Sequence, residues 1–172
     1  MARFLKMFSV VSLINLTVAL VSAEGKVNFS GTWILDKSKS DVSQFIGVGE
    51  DAEKVQHASM TMVVEQEGTS IRVTRIMKTQ GDERKEIHTY KIDGNETTNT
   101  GFRGETVVAR AFWEGDRLVV VSTRTKRVLT KDISAESRGV WSLSPDGKLL
   151  TIAAQVNSPR GEQRVRAVFD KQ

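Results

Sequence analysis

From Met60 onward the chain is one short β-rich run after another, each closed by a compact turn signal, and this repetition leaves little room for anything but antiparallel sheet. The runs are Met60 to Gln66, Ser70 to Met77, Lys85 to Ile92, Thr106 to Trp113, Arg117 to Thr123, Arg138 to Leu143, Leu149 to Val156 and Gln163 to Phe169. The connections Glu67-Gly68, Asp93-Gly94, Glu114-Gly115, Pro145-Asp146-Gly147 and Arg160-Gly161 put glycine where a hairpin needs positive φ, so consecutive runs should pair as neighbours. A further strand, Gly31 to Asp36, opens the domain, and weaker ones are expected at Glu96 to Thr100 and Lys126 to Ile133. No apolar period of helical spacing is long enough to compete.

An all-β chain with so many antiparallel strands must dispose of its sheet edges. Closing the meander into an eight- to ten-stranded barrel removes them, and a two-sheet sandwich is the alternative. The one sizeable break is Lys37 to Ala58, where Asp41 is placed to cap a short helix carrying Val42, Phe45 and Ile46, with a second turn from Glu50 to His57. This segment after the first strand is expected to be either a short helical lid or a surface loop.

Alternation along the runs assigns an inward face. It comprises Ile71, Val73, Arg75 and Met77; Val107, Ala109, Ala111 and Trp113; Trp141 and Leu143; Leu150, Ile152, Ala154 and Val156; and Val165, Ala167 and Phe169. In the run from Arg117 both parities are apolar over Leu118 to Val121, and no face is assigned. Ala109, Ala111, Ala153, Ala154 and Ala167 are small enough to leave room inside a barrel.

The N-terminus has a different character. Arg3 to Lys6 is positive, Met7 to Val21 is apolar apart from small polar residues, and Val21-Ser22-Ala23 offers small residues at a cleavage site. Residues 1–23 are therefore expected to be a removable signal peptide and 24–172 one domain, secreted or periplasmic. The apolar run is shorter than the roughly 20 residues that span a bilayer, so no stable membrane span is expected after cleavage. The chain has no cysteine and cannot rely on disulfides. Arg3 and Lys6 supply two of its formal +4, leaving +2 for the domain. That small excess argues against nucleic acid as a partner, because phosphate binding calls for a concentrated basic stripe. Arg72, Arg75, Arg110, Arg124, Arg138, Arg164 and Arg166 are scattered, as solvated strand faces would be.

Catalytic chemistry finds little support. There are two histidines, His57 and His88, with no metal-ligand spacing and no nucleophile elbow, so no catalytic residue, metal or cofactor is assigned. His88, alternating with Tyr90, is expected to be a satisfied strand residue. Asp82-Glu83-Arg84-Lys85-Glu86 reads as a solvated charge run at a hairpin.

The opening Phe29-Ser30-Gly31-Thr32-Trp33-Ile34-Leu35-Asp36, followed by Lys37-Ser38-Lys39-Ser40-Asp41, resembles the start of lipocalin-like and fatty-acid-binding-protein (calycin) barrels. In those the tryptophan plugs the closed end. Phe45-Ile46-Gly47-Val48-Gly49 with Glu53-Lys54-Val55 resembles their helical lid, and the whole pattern is similar to exported bacterial lipocalin-like domains. The resemblance implies a small apolar or amphiphilic ligand inside the barrel, with Phe45, Arg75, Tyr90, Trp113, Trp141 and Phe169 as candidate ligand-binding residues. Fatty-acid-binding proteins usually end in Arg-x-Tyr before an acid and a lysine, the arginine and tyrosine gripping the ligand carboxylate. Here Ala167 and Phe169 precede Asp170-Lys171, so both gripping groups are missing. A neutral ligand is favoured over a fatty acid, and Arg75 is left to anchor an anion or pair with a buried acid. The alternatives are a cell-envelope interaction module with a packed core and a barrel isomerase or cyclase using His88 beside a carboxylate.

Overall fold

The computed structural model describes residues 27–41 and 58–172. Ten strands follow in chain order: β1 (Gly31–Leu35), β2 (Ser59–Glu67), β3 (Ser70–Thr79), β4 (Asp82–Lys91), β5 (Thr97–Thr100), β6 (Thr106–Glu114), β7 (Arg117–Val128), β8 (Lys131–Leu143), β9 (Leu149–Ser158) and β10 (Gly161–Lys171). They make a single antiparallel sheet in the order β4-β3-β2-β1-β10-β9-β8-β7-β6-β5. All spatial neighbours are sequence neighbours except β1 and β10, where Trp33, Ile34 and Leu35 lie opposite Lys171, Asp170 and Phe169. That pairing carries the meander round into a nearly closed barrel, and one continuous sheet rules out the sandwich.

The barrel has one seam. Among the described residues β4 and β5 share no backbone ladder. A side chain substitutes for it: Thr89 N–H donates to Asn99 Oδ1 at 2.8 Å, and Asn99 Nδ2 donates to Thr89 O at 3.2 Å. A side-chain amide offers an acceptor oxygen beside an N–H donor at nearly backbone spacing, so asparagine can pair with a strand edge as another strand would.

The inward faces are those that alternation assigns. Ile71, Val73, Met77, Ala109, Ala111, Trp141, Leu150, Ile152, Ala167 and Phe169 all belong to one buried cluster. Leu118 and Val120 join it, which settles the face of β7; Val119 is buried on the other side, opposite Phe112 and Val140. At the end where the chain enters, Phe29 and Trp33 are fully buried and Trp33 Nε1 donates to Phe29 O at 2.9 Å. A buried indole N–H needs such a partner, since leaving it unpaired would cost about 1–3 kcal/mol.

Two expectations need comment. Lys126 to Ile133 is not a separate strand. It is the tip of the β7–β8 hairpin, turning at Leu129-Thr130 with Leu129 at φ 55°. Leucine rarely takes that conformation, so the turn carries no glycine or asparagine to announce it. The helical lid, with Phe45, falls on residues 42–57 and lies outside the described residues; the described part contains no helix.

Candidate functional site

Inside the barrel, polar chemistry gathers on the wall made by β3, β4 and β7. Arg75 and Glu86 are register partners, and Arg75 Nη1 donates to Glu86 Oε1 at 3.2 Å. The other carboxylate oxygen accepts from Arg124 Nη2 at 3.4 Å and from the Phe102 backbone N–H at 3.2 Å. Arg124 also reaches Glu105 Oε2 through Nη1 at 3.4 Å. Burial works against the charge on Arg75, yet Tyr90 and Glu86 outweigh it and hold the guanidinium firmly protonated. Within the cluster two guanidinium charges face two carboxylates, so the wall is polar but close to neutral.

His88 sits beside this group at 2% exposure. Its Nδ1 lies 3.3 Å from Arg75 Nη1 and 2.9 Å from Tyr90 Oη, and its Nε2 lies 3.3 Å from Thr100 O. Arginine can only donate and a carbonyl can only accept, so Nδ1 holds the lone pair and Nε2 the proton. Burial is the largest influence on the ring and lowers its pKa to about 4; the positive charges of Arg75 and Arg124 act the same way, against the opposing pull of Glu86. The imidazole is therefore neutral at pH 7.

These contacts also span the seam. His88 on β4 is tied to Thr100 at the end of β5, and Glu86 to Phe102 just beyond it. Gly101 between them lets these groups come close, because a Cβ there would push against the Arg124 guanidinium and the Glu105 carboxylate. The polar cluster thus has a structural duty: it holds together two strands that the backbone leaves unpaired.

The sequence-predicted site residues fall into two groups. Arg75 and Tyr90 meet on the polar wall, both against His88 Nδ1. Trp113 and Trp141 meet through Phe29, which stacks on Trp113 with centroids 5.9 Å apart and meets Trp141 edge-on at 6.0 Å. Such pairs add about 0.5–1.5 kcal/mol each beyond burial. Phe169 is fully buried in the same core. Trp113 Nε1 is buried with no acceptor among the described residues, a donor on the inner wall beside the aromatic group.

Glu86, Arg124 and His88 complete the site, and two of them correct the sequence-based assignment. Glu86 is 5% exposed rather than part of a solvated run, because the β3–β4 register turns it inward opposite Arg75. Arg124 faces the interior with Leu118 and Val120, three and two steps of alternation before it, rather than a solvated outer face. Arg164 and Arg166 do lie outward and exposed, as alternation predicts. An open groove of about 400 Å³ lies at the barrel rim beside Ser59, Lys78, Thr79 and Gln80, away from all of these. Among the described residues no group of three histidines or acids is arranged to hold a metal. No helix there is long and apolar enough to cross a membrane.

The zebrafish ileal bile acid-binding protein complexed with cholic acid has a similar structure over 84% of this chain and 98% of its own, at 15% identity and a TM-score of 0.61. The fatty acid-binding protein of Drosophila melanogaster brain is similar over 83% of this chain and 99% of its own, at 18% identity and a TM-score of 0.55. This chain shares their fold. Secretory abundant heat soluble protein 4 of Ramazzottius varieornatus has it too, over 84% of this chain and 94% of its own, at 14% identity and a TM-score of 0.58. No family model matches the sequence, and no curated protein matches it significantly.

Proposed function

We propose that this protein is an exported carrier holding a small, uncharged apolar or amphiphilic molecule inside the barrel. The observation that carries the reading is the make-up of the inner wall. Small residues and an aromatic group, with the unpaired Trp113 N–H among them, face a polar cluster whose charges cancel internally. Glu86 already provides the carboxylate that Arg75 and Arg124 would otherwise take from an anionic ligand. A fatty-acid carboxylate would have to displace it, leaving a buried charge without its partner at a cost of several kcal/mol. A ligand with a hydroxyl or carbonyl faces no such penalty and can accept from Trp113. The leader Arg3 to Ala23 supports export, to the periplasm or beyond the cell, with residues 24–172 as the mature domain. The similar barrels include one complexed with cholic acid and one named for fatty acids, which supports an interior ligand.

A packed barrel serving as an envelope scaffold is the competing reading, and it is favoured by the satisfied state of the polar cluster. The isomerase or cyclase reading draws on His88 Nε2, 3.6 Å from Glu86 Oε2. A general base needs a lone pair facing its substrate, whereas that of Nδ1 is taken up by Arg75 and Tyr90.

The test is a matched pair of probes, oleyl alcohol and oleate, titrated against tryptophan fluorescence of the protein purified from its host and delipidated. The alcohol should change the emission at saturating stoichiometry and bind at least about tenfold more tightly than the acid, a difference of about 1.4 kcal/mol. Equal affinities would overturn the preference for an uncharged ligand. Silence toward both, with nothing released on solvent extraction, would overturn the carrier reading in favour of the scaffold.

A further inference from the structure

The β7–β8 hairpin departs from the economy of the other turns. All residues from Lys126 to Ser134 are exposed, so its last rungs stand clear of the barrel, by roughly 10 Å at about 3.3 Å per residue. At its tip Leu129 is 94% exposed and holds φ 55°. Glycine would take that position without strain and aspartate or asparagine nearly so; leucine is the poor choice on both conformational and solvation grounds. The sequence has used glycine at the other tight hairpins, including Gly81, Gly115 and Gly161. A residue that costs stability twice over calls for an explanation outside the folded monomer.

Its surroundings supply one. Val128 and Ile133 are 43% and 46% exposed, which makes the tip and one flank apolar. Lys126 lies opposite Ile133, Lys131 opposite Val128, and Arg127 opposite Asp132, with which it makes a solvent-exposed pair at 3.6 Å. Three cations against one acid leave this finger at +2. From the tip inward come Leu129, then Val128 level with Lys131, Arg127 level with Asp132, and Lys126 level with Ile133, so the finger presents an apolar tip with cations close behind it. A phospholipid leaflet offers both partners within a few ångströms of each other, phosphates at the surface and acyl chains beneath. A protein partner fits less well. Specific protein contacts need about 800 Å² on each side and draw on aromatic anchors, and this tip is narrow and has none.

We propose that the β7–β8 hairpin is a membrane-docking finger. Leu129, backed by Val128, enters the interface of an anionic phospholipid leaflet while Lys126, Arg127 and Lys131 meet the phosphate oxygens. The finger rises from the barrel end that also carries the β3–β4, β5–β6 and β9–β10 turns, so docking brings that end to the lipid surface. It holds whether or not the barrel carries a ligand.

The test is co-flotation of the full chain, as purified from its host, with phosphatidylcholine vesicles containing or lacking phosphatidylglycerol. Binding should be much tighter to the anionic vesicles and should weaken as salt is raised. Lys126→Gln with Lys131→Gln should lower the affinity by about fivefold for each lysine. Leu129→Gly should lower it by roughly tenfold while leaving the unfolding temperature unchanged or higher, because glycine suits the turn. Failure to float with either vesicle overturns the proposal. So does flotation that ignores phosphatidylglycerol, or that survives both sets of substitutions, which would place lipid binding elsewhere in the chain.

Discussion

The β7–β8 pair and the β4–β5 seam solve the same problem by different means. Between β7 and β8 eleven residue pairs run in unbroken register, and the backbone supplies all the cohesion. Side chains there are free to vary, and they do: serines, threonines, lysines and arginines alternate with no shared pattern toward the tip. Between β4 and β5 the backbone supplies nothing, so Asn99, His88, Glu86 and Arg124 bridge the strands, and each of them must be the residue it is. The difference teaches where charge is tolerated inside this barrel. Buried ions are expensive, but at a seam the alternative is unpaired backbone, which is expensive as well.

Three experiments break or sharpen this contrast. Glu86→Gln should have the largest effect, because it leaves the largely buried Arg75 without its counter-charge and Arg124 with Glu105 alone. A loss of about 3–5 kcal/mol is expected in urea unfolding at neutral pH, and adding Arg75→Met should recover part of it. If the single substitution costs less than about 1 kcal/mol, the cluster is not what holds the seam.

His88 gives the next largest effect, read through pH. An unfolded imidazole takes up its proton near pH 6.5, whereas the folded one refuses it until about pH 4. The unfolded state therefore binds more protons across that interval, so stability should fall as the pH drops through it, by no more than about 3 kcal/mol. His88→Gln should flatten this slope between pH 6.5 and 4 relative to the parent chain, which separates its share from that of the carboxylates. Parallel slopes in the two proteins would mean that the ring titrates normally in the fold.

The smallest effect compares like with like. Asn99→Ala removes two bonds to the Thr89 backbone at the seam and should cost about 1–2 kcal/mol. Thr125→Ala removes a hydroxyl contact to Ser134 at 2.9 Å within the β7–β8 ladder and should stay within about 0.5 kcal/mol. Equal costs, measured by thermal or urea unfolding, would erase the distinction between the two regions.

Much of the site could have been found by counting rungs. A two-residue turn at Gln80-Gly81 puts Glu86 opposite Arg75, and one at Gly115-Asp116 puts Arg124 opposite Val107. Since Arg75 and Val107 are inward by alternation, their partners are too. The charge run around Glu86 and the double apolar parity of Leu118 to Val121 obscure this, because local composition there points outward while the register decides the face. Arg75, Trp113, Trp141 and Phe169 were legible as inward residues directly, being large or polar on faces otherwise apolar, whereas Tyr90 shares its inward face with Glu86 and His88. The turn at Leu129 was not legible, because its conformation opposes the preference of its residue.

The sequence by itself determined the strands, most of their turns and the inward face of several of them, since alternation and hairpin chemistry act over a few residues. Only the tertiary structure decided that β1 closes on β10, that β4 and β5 part, and that Asn99, His88, Glu86 and Arg124 therefore meet. Those contacts join residues up to 38 positions apart in the chain. They depend on where a sheet curves and where it stops, and no local pattern of side chains encodes that.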